Sequence, residues 1–174
     1  SLMAFLRPVF NLTIQDALKM RFYEMDEAGR AAFAVSAFYL STASALFLGL
    51  VAALFGETLA EVIKFPGPWI ISIVLAAYLY ANFYFILTYN QFAEQRGRFI
   101  CLQLTQSLFG FAIIALLVYQ DWNWQGVVLG KISGLIIACI VGVAWLAGDL
   151  NLRLALPRKS DLKEMVRFGL IYLP

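Results

Sequence analysis

The chain is 174 residues long, 62% hydrophobic and only 14% charged, where soluble domains carry about a quarter charged residues. Its net charge of +2 says nothing about nucleic acid, and none is expected as a partner; it holds no histidine, which removes Ser-His-Asp and Cys-His chemistry and most zinc sites. The expectation is a membrane protein with no enzymatic activity, metal or cofactor, whose partners are membrane lipids.

Residues 1–23 are apolar enough to enter a membrane but interrupted by polar side chains. Arg7, Asn11 and Gln15 fall at i, i+4 and i+8, on one face of a helix. If Lys19 and Arg21 mark the membrane surface, Arg7 lies about 20 Å deeper at 1.5 Å per residue. The segment has no basic stretch followed by an uninterrupted apolar run and cleavage site, so it is not a signal peptide. A partial helix is expected, the inner part of a longer one.

Four apolar runs follow, 31–55, 69–89, 99–119 and 126–147. Each exceeds the roughly twenty residues needed to cross about 30 Å of hydrocarbon, and none shows the polar stripe of a soluble amphipathic helix. No Asp, Glu or Arg occurs inside them, and the single charge is Lys131. The segments 19–30, 91–98 and 148–168 hold Lys19, Arg21, Arg30, Arg96, Arg98, Arg153, Arg158, Lys159, Lys163 and Arg167. The two remaining connections, 56–68 and 120–125, hold Lys64 alone. The positive-inside rule then puts the cation-rich segments in the cytoplasm. Trp69, Trp122 and Trp124 sit at the opposite ends, where interfacial aromatics belong. Cys101 and Cys139 fall inside runs and are expected to be buried, inert thiols.

Small residues recur every four positions in two of the runs: Ala37, Ser41, Ala45, Gly49 and Ala53 in the first, and Gly126, Gly130, Gly134, Ala138 and Gly142 in the fourth. Such ridges let helix backbones approach closely in lipid, within the chain or between two copies. Polar residues are few and patterned. Asn82 has Tyr78 one turn away, and Gln103, Gln106, Ser107 and Gly110 share a face of the third run. A primary amide in hydrocarbon costs several kcal/mol without a partner, so these side chains either bond another helix or line a polar cavity. Lys131 either snorkels to the outer interface or supplies positive charge to that cavity; Arg7, deeper, favours the cavity. After the fourth run, 148–167 forms a basic connection in which Ser160 and Asp161 suit a helix start. Residues 168–174 read as the beginning of a further span. Both chain ends are therefore expected to lie inside a larger protein.

Several stretches resemble bacterial polysaccharide and O-antigen flippases of the multidrug/oligosaccharidyl-lipid/polysaccharide exporter superfamily. Leu12-Thr13-Ile14 with Met20-Arg21-Phe22-Tyr23-Glu24 and the acidic loop ending Gly29-Arg30 resembles the end of their second helix. Phe92 to Phe99 leading into Leu102-Gln103-Leu104-Thr105-Gln106-Ser107-Leu108 resembles their fourth-to-fifth helix junction. Trp124-Gln125-Gly126 with Leu129-Gly130 resembles the beginning of their sixth helix, and Arg167-Phe168-Gly169-Leu170-Ile171-Tyr172-Leu173-Pro174 that of their seventh. Thr13 stands where a glycine is common, and Ile171 where a proline is common.

The resemblance implies an all-α, polytopic transmembrane bundle of four full spans with partial helices at both ends. That would be most of one lobe of a two-lobe transporter, whose remaining helices and second lobe this chain lacks. Its cargo would be an undecaprenyl-diphosphate-linked glycan, flipped by alternating access without covalent chemistry. Arg7, Asn82, Gln103, Gln106 and Lys131 are the expected cavity residues. A cation-coupled drug antiporter would need an intramembrane carboxylate, a membrane-embedded enzyme would need catalytic groups in an outer loop, and a structural scaffold would leave the glutamines unexplained.

Overall fold

The computed structural model describes residues 14–63, 66–150, 157, 161–163, 165 and 167. Arg7, the rest of 1–13 and the span expected at 168–174 lie outside these. A short helix α1 (Ile14–Arg21) precedes four long ones: α2 (Glu27–Ile63), α3 (Ile70–Phe92), α4 (Arg96–Tyr119) and α5 (Asn123–Asp149), with one 3₁₀ turn at Gly67–Trp69. All four long helices are apolar and long enough to cross a membrane, and the described residues include no strand. The protein is a multi-pass helical membrane protein. It has a basic end, carrying α1, Arg30, Arg96 and Arg98, and a tryptophan end, carrying Trp69, Trp122 and Trp124.

The helices stand side by side in the order α2, α3, α5, α4. The two inner helices are therefore the most buried, and α2 and α4 turn most of their surface outward. Cys101 corrects the expectation of two buried thiols: it is exposed on α4, whereas Cys139 is buried and donates to the Leu79 carbonyl 3.5 Å away. The difference follows from position, because α4 lies at the edge of the layer and buries only Leu102 and Gly110.

α2 starts at a local cap. Asp26 Oδ1 accepts the Gly29 backbone N–H at 2.8 Å, satisfying one of the orphan donors at a helix start. The helix then runs for 37 residues, about 55 Å at 1.5 Å per residue, well beyond the hydrocarbon thickness. The expected boundary at residue 55 is thus not where the helix ends. It bends at Phe55, whose φ of −116° and ψ of 15° are non-helical, and continues through Glu57 and Glu61. Hydropathy marks where the chain leaves the apolar layer, but Thr58 to Ile63 remain compatible with a helix after the bend.

The two connections joining α3 to α4 and α4 to α5 are minimal. In the first, the Gln95 N–H bonds the Asn90 carbonyl at 2.9 Å and the Glu94 N–H bonds Gln91 at 3.2 Å. In the second, Trp122 bonds Leu117 and Asp121 bonds Val118, both at 3.1 Å. These are paired 6→1 and 5→2 bonds, the Schellman arrangement, which requires a left-handed residue in the middle. Glu94 (φ 57°) and Asp121 (φ 63°) supply it where glycine would be the usual choice.

At the basic end an aromatic cluster ties the helices together. Phe22 is buried, with ring centroids 5.6 Å from Tyr89 and 5.8 Å from Phe92, and the Arg30 guanidinium lies 4.3 Å over its face. Arg98 pairs with Asp149, and Gln95 Nε2 donates to the same carboxylate at 3.1 Å, clamping the start of α4 to the end of α5. Arg21 and the buried Asp161 approach to 3.9 Å. At the other end Trp69 and Trp124 meet edge to face at 5.1 Å.

Candidate functional site

The glycine ridge of α5 is a seam against α4. A Cβ built on Gly126 would lie 2.9 Å from Leu117 Cβ; on Gly130 it would lie 2.4 Å from Ile114 Cγ1 and 2.8 Å from the Ile114 nitrogen; on Gly134, 2.6 Å from the Gln106 carbonyl oxygen. No side chain fits at these positions. Gly142 continues the line against Ile86 of α3 and Leu102 of α4. The contact strip on α4 is therefore Leu102, Gln106, Gly110, Ile114, with the same four-residue step as on α5. Interlocking four-residue ridges are the crossing geometry that small residues permit.

The seam fixes where the neighbouring residues point. One step along a helix is a rotation of about 100°. Because α4 and α5 are antiparallel, the residue following each contact residue points to the same side of the pair on both helices. On α5 that strip is Lys131, Leu135 and Cys139, each one residue past Gly130, Gly134 and Ala138. Leu135 and Cys139 are buried, Cys139 against Leu79 of α3, but Lys131 is exposed. On α4 the matching strip is Phe99, Gln103, Ser107 and Phe111. Phe99 packs on the core, while Gln103, Ser107 and Phe111 are exposed.

The common side is thus the one α3 covers. α3 lies against this side at Cys139, and at the tryptophan end Trp69, just before α3, meets Trp124, which is seven positions before Lys131 and so on the same face of α5. Gln106 sits in the seam itself, half-buried, with its Oε1 3.5 Å from Ser107 Oγ. Gln103, Gln106 and Lys131 are brought to one face by this arrangement. Lys131 makes no ion pair or hydrogen bond among the described residues.

Asn82 is placed elsewhere. It is buried between α2 and α3, where its Oδ1 accepts from Ser41 Oγ at 3.0 Å and its Nδ2 donates to the Tyr78 carbonyl at 2.9 Å. Thr42 Oγ1 and the Tyr78 hydroxyl lie 3.2 Å apart one turn on. This is an interhelix polar lock whose amide is satisfied on both sides. Arg7 lies outside the described residues.

The ridge of α2 behaves differently from that of α5. Ala37 and Ser41 are buried, but Gly49 has open space where a Cβ would stand. The buried or half-buried positions of α2 include Ala34, Phe38, Ser41, Ala45, Leu48 and Ala52, of which Phe38 and Ser41 meet Phe85 and Asn82 of α3. That spacing averages about 3.6 residues, the helix repeat, so the strict four-residue ridge rotates away from this face beyond Ser41.

Sequence reasoning puts Gln103, Gln106 and Ser107 on one face of α4 but does not put Phe111 on the same side of the helix pair as Lys131. The missing signal is the seam: once Gly130 and Gly110 are paired, their successors follow. No protein-family model, curated protein or solved structure matches this chain, so the chemistry of this side rests on its own residues.

Proposed function

We propose that the chain is most of one lobe of an exporter that flips an anionic lipid-linked glycan across a bacterial inner membrane by alternating access. The observation that carries this reading is the polar side of the α4–α5 pair, where Gln103, Ser107 and Lys131 are exposed beside Gln106. A lysine without an ion pair among the described residues and a strip of amide and hydroxyl side chains share one side of a helix pair, in a domain otherwise built of apolar spans. The ammonium of Lys131 suits a pyrophosphate, and the amides of Gln103 and Gln106 with the Ser107 hydroxyl suit sugar hydroxyls. No bond is made or broken; the work is differential binding between two orientations of the lobe. The cation-rich basic end faces the cytoplasm in this reading, so Lys131 lies towards the outer leaflet.

The test is export of a lipid-linked glycan by a full-length transporter containing this lobe, at matched membrane levels. Lys131→Ala is expected to lower export about tenfold or more, since a bond to a charged group contributes about 1.5–3 kcal/mol. Lys131→Arg should retain most of it. Equal export by the alanine variant and the parent would overturn the reading.

A further inference from the structure

The two tryptophans at the start of α5 differ in what they meet. Trp122 is exposed and makes no ring contact among the described residues, as suits an interfacial anchor. Trp124 meets Trp69 edge to face, with centroids 5.1 Å apart and planes at 64°, a geometry that aromatic pairs prefer. Trp69 ends the 3₁₀ turn that leads into α3, so the pair joins α3 to α5 at the tryptophan end. Cys139 and the Leu79 carbonyl join the same two helices deeper in. Lys131 falls between these two contacts on the same side of α5 and is exposed, about 10 Å below Trp124 at 1.5 Å per residue.

The two rings are carried by different parts of the molecule. Trp124 stands two residues before Gly126, which packs on Leu117 of α4, so the seam sets its position. Trp69 is held by its turn: its N–H bonds the Pro66 carbonyl at 2.9 Å, and Ser72 Oγ donates to its carbonyl at 2.6 Å. That turn rests on α2, because a Cβ on Gly67 would lie 3.7 Å from Ala60 Cβ. Ala60 belongs to the stretch of α2 beyond the bend at Phe55. Trp69 therefore follows the outer end of α2, and Trp124 follows the α4–α5 hairpin.

We infer that the Trp69–Trp124 pair is a gate between Lys131 and the tryptophan-side surface. The rings touch in this structure, which is the closed state, and a swing of the outer part of α2 about Phe55 parts them. The non-helical backbone at Phe55 is the kind of local site that absorbs such a rotation. The inference rests on the export reading and deepens it, because it names what controls passage of an anion between Lys131 and the outside. Two apolar rings in contact offer a hydrated anion no hydrogen bond, yet parting them breaks only one aromatic contact, so the pair both seals and yields.

The experiment uses the full chain with Lys131→Cys, and with Cys101→Ala and Cys139→Ala to remove the native thiols. It is placed in vesicles with the tryptophan end outside, an orientation checked by labelling Asp121→Cys. A membrane-impermeant anionic methanethiosulfonate is added outside, and the labelling rate at position 131 is read by mass. Trp124→Ala and Trp69→Ala should each raise that rate roughly threefold to tenfold, the loss of one aromatic pair. The double variant should be no faster than either single one, because each already removes the contact. Trp124→Phe should stay near the parent rate. Trp122→Ala, which removes a tryptophan from the same end but spares the pair, should leave the rate unchanged. Equal rates in the parent and both alanine variants, an equal rise in Trp122→Ala, or additive rises in the double variant would each overturn the inference. Labelling reads access and not export, so the two readings fail separately. Ring-dependent shielding with export indifferent to Lys131→Ala removes the export reading alone, and lysine-dependent export with ring-independent labelling removes the gate alone.

Discussion

Adding one methyl group at Gly134 should separate α4 from α5. The Cβ of Gly134→Ala would lie 2.6 Å from the Gln106 carbonyl oxygen, 2.8 Å from Gly110 Cα and 2.9 Å from the Gly110 nitrogen, where ordinary contact begins at 3.4 Å. All three are backbone atoms and cannot rotate aside. Relief of the worst contact needs 3.4 − 2.6, about 0.8 Å of separation, and a gap of 0.5–1 Å forfeits roughly a quarter to a half of each dispersion contact across it. Overpacking of this kind costs about 1–3 kcal/mol, against a helix-propensity gain of about 0.8–1 kcal/mol for Gly→Ala.

Gly49→Ala supplies the reference, because nothing lies within 4 Å of the place its new methyl group would take and the change in propensity is the same. The difference between the two variants isolates the contact. In a detergent unfolding titration, Gly134→Ala should be less stable than Gly49→Ala by about 1–3 kcal/mol. Equal stability of the two would mean that the seam is not closely packed, and the placement of Lys131 and Gln103 on a common side would fall with it.

Glu94→Gly and Asp121→Gly should each raise stability by about 1 kcal/mol, because both residues hold left-handed backbone that only glycine adopts freely; a thermal unfolding scan reads this, and a loss of stability would contradict the turn geometry. Ser41→Ala should destabilise the α2–α3 contact by about 0.6 kcal/mol, the typical strength of an interhelix bond in a membrane, and it should leave Lys131-dependent export unchanged. A loss of that dependence would place Asn82 in the same site as Lys131.

The spans were legible because each apolar run exceeds the membrane thickness, whatever its neighbours. The polar residues were legible as a set for the same reason: an amide in hydrocarbon must have a partner. Which partner it has was not legible, since Asn82 and Gln106 look alike along the chain. One is satisfied by Ser41 of a neighbouring helix and the other sits in a seam of glycines, and only the helix order distinguishes them. The end of α2 escaped because a composition change and a helix end are separate events. The turns at Glu94 and Asp121 escaped because neither carries the glycine that normally announces a left-handed cap.

Those two turns also set an order of assembly during biosynthesis. The three-residue reversal at Gln120 to Trp122 leaves α4 and α5 no slack, so the seam closes between segments adjacent in the chain, at little loop-closure entropy. The contacts of α5 with α3, such as Cys139 with Leu79, join positions separated by the whole of α4. Contacts between distant positions form later than local ones. The glycine hairpin is thus the nucleus onto which α3, already carrying α2, closes. A variant that opens the seam would accordingly be handed to quality control before its ligand site had formed.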